Sequence, residues 1–149
     1  MGQVAIHLPA ISSDSKTAFA EDTSYWLNMW EDYINVFQSV VIHCWNEETE
    51  AITELDSIAE FTIKEGLITL FTISLTEGNR AFLKEHSVDP RGGLKWFTLF
   101  FQVNGEERLE VGHYGSEIVV YKVDEEQAEK FIALFPESSS SHYYEDYIE

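Results

Sequence analysis

The chain has 149 residues, 44% of them hydrophobic, 14% aromatic and 24% charged, which fits one globular domain and excludes wholesale disorder. Its 27 acids against 9 bases leave a net charge of −18, which opposes direct binding to nucleic acid or to an anionic membrane surface. One Cys permits no internal disulfide, and no apolar run approaches a membrane span or a secretory leader, so a cytoplasmic protein is expected.

In chain order, Gln3 to Leu8 reads as a short extended piece ended by Pro9, followed by a Ser-rich link at 12–15. Thr23 or Ser24 can cap a helix running to about Ser39, because Trp26, Met29, Trp30, Tyr33, Ile34 and Phe37 recur at spacings of three and four. The β-branched run Val40 to Trp45 reads as a buried strand. Asn46 is then expected to cap a second helix, with Glu47, Glu48 and Glu50 near its positive end and Ala51, Ile52, Leu55, Ile58 and Ala59 as its apolar stripe. Residues 61–75 read as a hairpin about Lys64-Glu65-Gly66, residues 79–86 as a short helix, and 89–93 as a loop.

Leu94 to Val103 is strongly strand-like and leads into Asn104-Gly105, a pair suited to a two-residue turn with positive φ at both positions. Residues 108–114 and 118–123 continue an antiparallel meander over 94–123. Asp124 with Gln127 forms a capping box for a final helix carrying Ala128, Phe131, Ile132 and Phe135, ended by Pro136. The fold class is therefore α+β, an antiparallel sheet packed with an N-terminal and a C-terminal helix in a single domain over 1–149. Residues 137–149 form an acidic, aromatic tail. It reads either as a solvated terminus or, through its three Tyr and one Ile, as a segment that docks.

The charge is unevenly laid out. Residues 17–63 hold ten acids and no Lys or Arg, residues 64–122 hold eight acids and seven bases, and residues 123–149 hold eight acids and only Lys130. Such flanks read either as general solubility or as a surface for a basic partner.

No phosphate-binding loop, nucleophile elbow, HExxH or CxxC is present. His43 and Cys44 are adjacent on a strand and point to opposite faces, so they do not pair as base and thiol. The five His lack metal-ligand spacing, and neither a metal nor a cofactor is expected. Glu106 and Glu110, an even number of residues apart, would share a sheet face. Trp26 and Trp30 read as core.

Ser24-Tyr25-Trp26 opening a helix, Trp30 one turn on, and the strand Trp96 to Phe101 entering a hairpin resemble immunity proteins of bacterial contact-dependent growth inhibition systems. The likeness covers residues 20–135 as a pattern, without a diagnostic motif. It implies a non-enzymatic, cytoplasmic antitoxin that binds the C-terminal domain of one cognate toxin, many such toxins being basic nucleases, as a monomer in a one-to-one complex. The acids suit a positive cleft through electrostatic steering. The residues expected at that interface are Glu47, Glu48, Glu50, Glu54, Glu106, Glu110, Tyr143, Tyr144 and Asp146. The alternatives are a nucleic-acid-mimicking inhibitor of another basic protein and a small ligand-binding domain.

Overall fold

Alternating apolar residues start the chain as strand β1 (Gly2–His7), with Val4 and Ile6 fully buried. The computed structural model describes residues 1–12, 18–20, 23–88 and 93–145. Strands β2 (Ala10–Ser12) and β3 (Ala18–Ala20) pair with each other as a separate antiparallel ribbon. Most of the expected Ser-rich link lies outside the described residues.

Helix α1 (Tyr25–Asp32) is shorter than its apolar spacing predicts. It stops at Tyr33 (φ −127°, ψ −38°), and a single 3-10 turn at Ile34–Val36 follows. Ile34, Asn35 and Val36 are weak helix formers. Past the break Ile34 and Phe37 still enter the core, while Asn35 and Val36 stay outside. Ser24 has helical φ and ψ and makes no capping bond from its side chain. The helix is opened instead by the Trp26 N–H donating to the Thr23 carbonyl at 3.0 Å.

Strand β4 (Ser39–Trp45) matches expectation, with Val40, Ile42 and Cys44 inward. Asn46 does not cap helix α2 (Thr49–Asp56). Its amide donates to the Gly66 carbonyl and its Oδ1 accepts from Thr69, so it ties down the turn of the next hairpin. The cap position belongs to Glu48, whose Oε1 accepts from the Trp45 N–H at 2.7 Å. That hairpin is β5 (Phe61–Glu65) and β6 (Ile68–Ser74), turning at Gly66 with φ +62°. Helix α3 (Glu77–His86) starts two residues before the predicted 79, because Thr76 caps it by accepting from the Asn79 N–H.

The following loop falls largely on residues 89–92, outside the described set. Strand β7 (Thr98–Val103) begins later than Leu94, which forms an isolated bridge with Val88, while the Lys95 N–H donates to the Ser87 carbonyl. Asn104 (φ +52°) and Gly105 (φ +77°) make the predicted turn into β8 (Glu106–Gly112). A 3-10 turn at His113–Gly115 leads to β9 (Glu117–Val123). There the buried Tyr25 hydroxyl donates to the Gly115 carbonyl at 2.7 Å. Helix α4 (Glu125–Ile132) carries the full capping box between Asp124 and Gln127. The expected tail includes a strand, β10 (Ser140–Glu145), antiparallel to β1.

The result is an α+β fold built on an eight-stranded antiparallel sheet, ordered β10-β1-β9-β8-β7-β4-β6-β5. The predicted meander is its centre, widened by the two chain ends on one side and by β4 with the β5–β6 hairpin on the other. One continuous core joins Val4, Ile42, Phe71, Phe101, Leu109 and Val120 of the sheet to Trp26, Met29, Leu55, Leu83 and Phe131 of the four helices. The four described helices thus cover one face of the sheet, and the alternate strand positions make a second face that no described helix covers.

Candidate functional site

The uncovered face can be read as rows of paired residues. One row crosses all eight strands: Phe61, Thr72, Val41, Phe100, Glu110, Val119, Ala5 and His142. A second places Ile63, Leu70, His43 and Thr98 side by side. Aromatic rings strengthen this surface. His43 lies 5.0 Å from Phe100, Trp45 lies 5.0 Å from Phe97, and Phe97 lies 5.5 Å from His113. A sheet face meant only for water would carry polar residues at these positions.

Acids punctuate the apolar rows. Glu110 is half-buried between Phe100 and Val119 of its own row. Burial raises its pKa first, and the nearby carboxylates of Glu107 and Glu117 raise it further. Burial likewise depresses the pKa of His43, against the opposing pull of Glu107 and Glu65. Burial, then Glu110 and Glu107, push up the Tyr121 hydroxyl. These mutual influences mark Glu65, Glu107, Glu110, Glu117, His43 and Tyr121 as one electrostatic neighbourhood.

No described Lys or Arg compensates it on this face. Lys64 pairs with Thr69, on the buried side of β6. Arg80 and Lys84 are on α3, Lys130 is on α4, and Lys95 is bound to Glu54 of α2. Arg108 sits in a β-bulge and acts electrostatically on Tyr33, which packs among the helices. Lys122 has φ +57° and joins Arg108 in pairing with Glu106.

That bulge corrects the expectation that Glu106 and Glu110 share a face. Phe101 opposes Leu109, whereas Gln102 opposes Glu107, so Arg108 is an extra residue that reverses the alternation. Glu106 falls on the helix side, opposite Val103, and Glu107 takes its place beside Glu110.

The other expected interface residues divide in the same way. Glu47 and Glu50 are exposed at the start of α2. Glu48 is half-buried, accepting from the Trp45 N–H and from the Tyr114 hydroxyl at 3.0 Å, with its pKa raised chiefly by burial. Glu54 is held by Lys95. Tyr143 packs against the core with its hydroxyl directed to the Val123 carbonyl. Tyr144 pairs with Gln3, which pairs with Tyr121, so it stands exposed on the uncovered face. Asp146 lies outside the described residues.

Sequence reasoning missed Val41, Phe61, Ile63, Phe100, Glu107 and Glu117. A signal was present in Leu99-Phe100-Phe101, since a strand apolar on successive positions has two dry faces.

Cys44 points into the core, on the opposite side from His43, and burial followed by Glu48 pushes its thiol up to about 12, which leaves it unreactive. Among the described residues no group of three His, Cys, Asp or Glu side chains could hold a metal ion, and no helix is long and apolar enough to cross a membrane. The surface is suited to broad contact with a macromolecule: apolar area for affinity, and acids with no described Lys or Arg beside them for selection by charge, Glu117 lying 3.5 Å from His113. No family model, curated protein or solved structure matches the chain.

Proposed function

We propose that this chain is an immunity protein that binds and neutralises a cognate, basic toxin domain, and that the uncovered sheet face is its binding surface. The observation that carries the reading is the row from Phe61 to His142, apolar for much of its length, with acids beside it and no described Lys or Arg on its face. A nuclease must present a positive cleft to hold nucleic acid, and Glu107, Glu110 and Glu117 offer that cleft a substitute for phosphates. Phe100, Val41 and Tyr121 supply the dry contact that gives a complex its lifetime. Glu47 and Tyr144 add exposed groups for the same partner, as does Glu50, which stays largely exposed although its carboxylate lies 3.8 Å from Lys95. Glu48, Glu54 and Glu106 serve the fold, since each is already held by groups of its own chain.

The test is co-expression with the C-terminal domain of the protein encoded immediately upstream. Growth should stop with that domain alone and recover with the wild-type chain. The double variant Glu107→Lys/Glu117→Lys changes two exposed residues whose carboxylates crowd Glu110, so it should melt no lower than the wild type yet bind at least tenfold more weakly and protect poorly. Protection equal to wild type by that variant would remove this face from the interface. Failure of the wild-type chain to protect would remove the immunity reading itself.

A further inference from the structure

We infer that β5 is a self-pairing edge through which two copies of this chain join their sheets into one. All five residues of β5 are exposed, and among the described residues it has a strand neighbour on one side only. Phe61 and Ile63 are 63% and 57% exposed, a cost that an edge with no occupant does not recover.

The hydrogen-bond parity follows from the turn. Gly66-Leu67 is a two-residue connection, so Glu65 and Ile68 form a hydrogen-bonded pair, and Ile63 and Phe61 likewise aim their amides at β6. The N–H and C=O groups of Thr62 and Lys64 therefore face outward. An antiparallel two-fold pairing centred on Ile63 uses all four of these groups on each copy and sets all five residues of β5 against their mates. Thr62 then lies opposite Lys64 of the second copy, Ile63 opposite Ile63, and Phe61 opposite Glu65.

Charge selects this register. Lys64 has no ion-pair partner among the described residues of its own chain. Thr62, its mate in the pair, donates its hydroxyl to the Asp56 carboxylate at 2.8 Å. Each Lys64 thus arrives beside the Asp56 of the other copy. A slip toward the turn would oppose Lys64 with Lys64. The two-fold axis is normal to the sheet, so both uncovered faces stay on the same side and remain open, making the pairing independent of partner capture.

A five-residue edge is small beside the roughly 1,600 Å² of a standard interface, so dissociation is expected on the order of 10–100 μM. Two copies at −18 each also repel. Added salt should therefore tighten the dimer, the reverse of its effect on a complex with a basic partner.

Sedimentation of the full chain up to about 1 mM, at low and high salt, tests the inference. The expected result is a reversible dimer, tighter at high salt, with the Thr62 and Lys64 amides slowing in hydrogen exchange as concentration rises. Ile63→Lys places like charges on the axis and should weaken association at least tenfold. Lys64→Glu should also weaken it, and adding Asp56→Lys to that variant should restore it, because the charge pair is rebuilt in reverse. A monomer at every concentration and salt would overturn the inference. So would a dimer indifferent to Ile63→Lys, or a charge swap that fails to rescue.

Discussion

Glu110 carries a cost in folding that its position explains. Its carboxylate lies in a row between Phe100 and Val119 with two further carboxylates nearby, and both burial and that company favour the protonated form. The folded-state pKa is therefore above the unfolded one. For an acid this means that the folded chain binds the proton more tightly, so the group's contribution to stability improves as pH falls through the folded value, and its penalty is fully present at neutral pH. Glu110→Gln removes that penalty. The variant should show a higher urea midpoint than wild type at pH 7, and the difference should shrink as pH is lowered toward 5. The same variant should bind the basic partner less tightly, which would locate a conflict between stability and function at one side chain. A Gln variant no more stable than wild type at pH 7 would show that Glu110 is not strained by its surroundings. Glu48 also has a raised pKa, because its two hydrogen bonds offset burial only in part. The comparison with Glu110→Gln isolates the one group from the other.

At the scale of elements, the C-terminal strand shows how a distant contact decides local structure. β10 lies at the sheet edge against β1, and Gly2 sits opposite Glu145. A Cβ on Gly2 would lie 2.0 Å from the Tyr144 carbonyl oxygen, a contact with backbone that no side-chain movement relieves. Gly2→Ala should therefore pry the end of β10 from β1. Amide exchange at Tyr143, Tyr144 and Glu145 should quicken, while β7, β8 and β9 keep their protection, because an edge strand can open without disturbing the centre of the sheet. Unchanged exchange at those three residues would mean that the edge absorbs the methyl group. The strand was not legible in Ser140 to Glu145 because its partner lies about 140 residues away, and its alternation is weak. What was legible had local causes: the β-branched run of β4, the Asn104-Gly105 turn, the meander it starts, and the box between Asp124 and Gln127. The end of α1 was missed because periodicity continued through Tyr33, Ile34 and Phe37 although the backbone did not. Part of the candidate site was legible as acidity, and Glu110 was read from it. Its neighbour Glu107 was not, since one bulged residue at Arg108 exchanges the faces of everything before it.

For the molecule as a whole, the arrangement of charge makes a prediction about salt. The described bases sit on the helix side, several of them in ion pairs such as Lys84 with Glu31, Lys130 with Glu126, and Lys122 with Glu106. These pairs are largely exposed, and exposed pairs contribute little that screening can remove. Against them stands the mutual repulsion of a net −18, acting over distances comparable to the screening length of about 8 Å at physiological salt. Repulsion is the larger effect, so sodium chloride should stabilise the free chain. Raising it from low to high concentration should add about 1 kcal/mol, or about 3 °C in Tm for a chain of this size. The comparison is best made on Ile63→Lys at low micromolar concentration, where association through β5 is expected to be negligible. A Tm that falls with salt would mean that the local pairs, with Lys95 and Glu54 the least exposed of them, outweigh the net repulsion. A Tm that rises, together with a toxin complex that weakens over the same range, would show one charge distribution opposing the fold and favouring the partner. The acids of the uncovered face, Glu65, Glu107, Glu110 and Glu117, would then be retained although they add to the repulsion within the chain that carries them, as a binding surface requires.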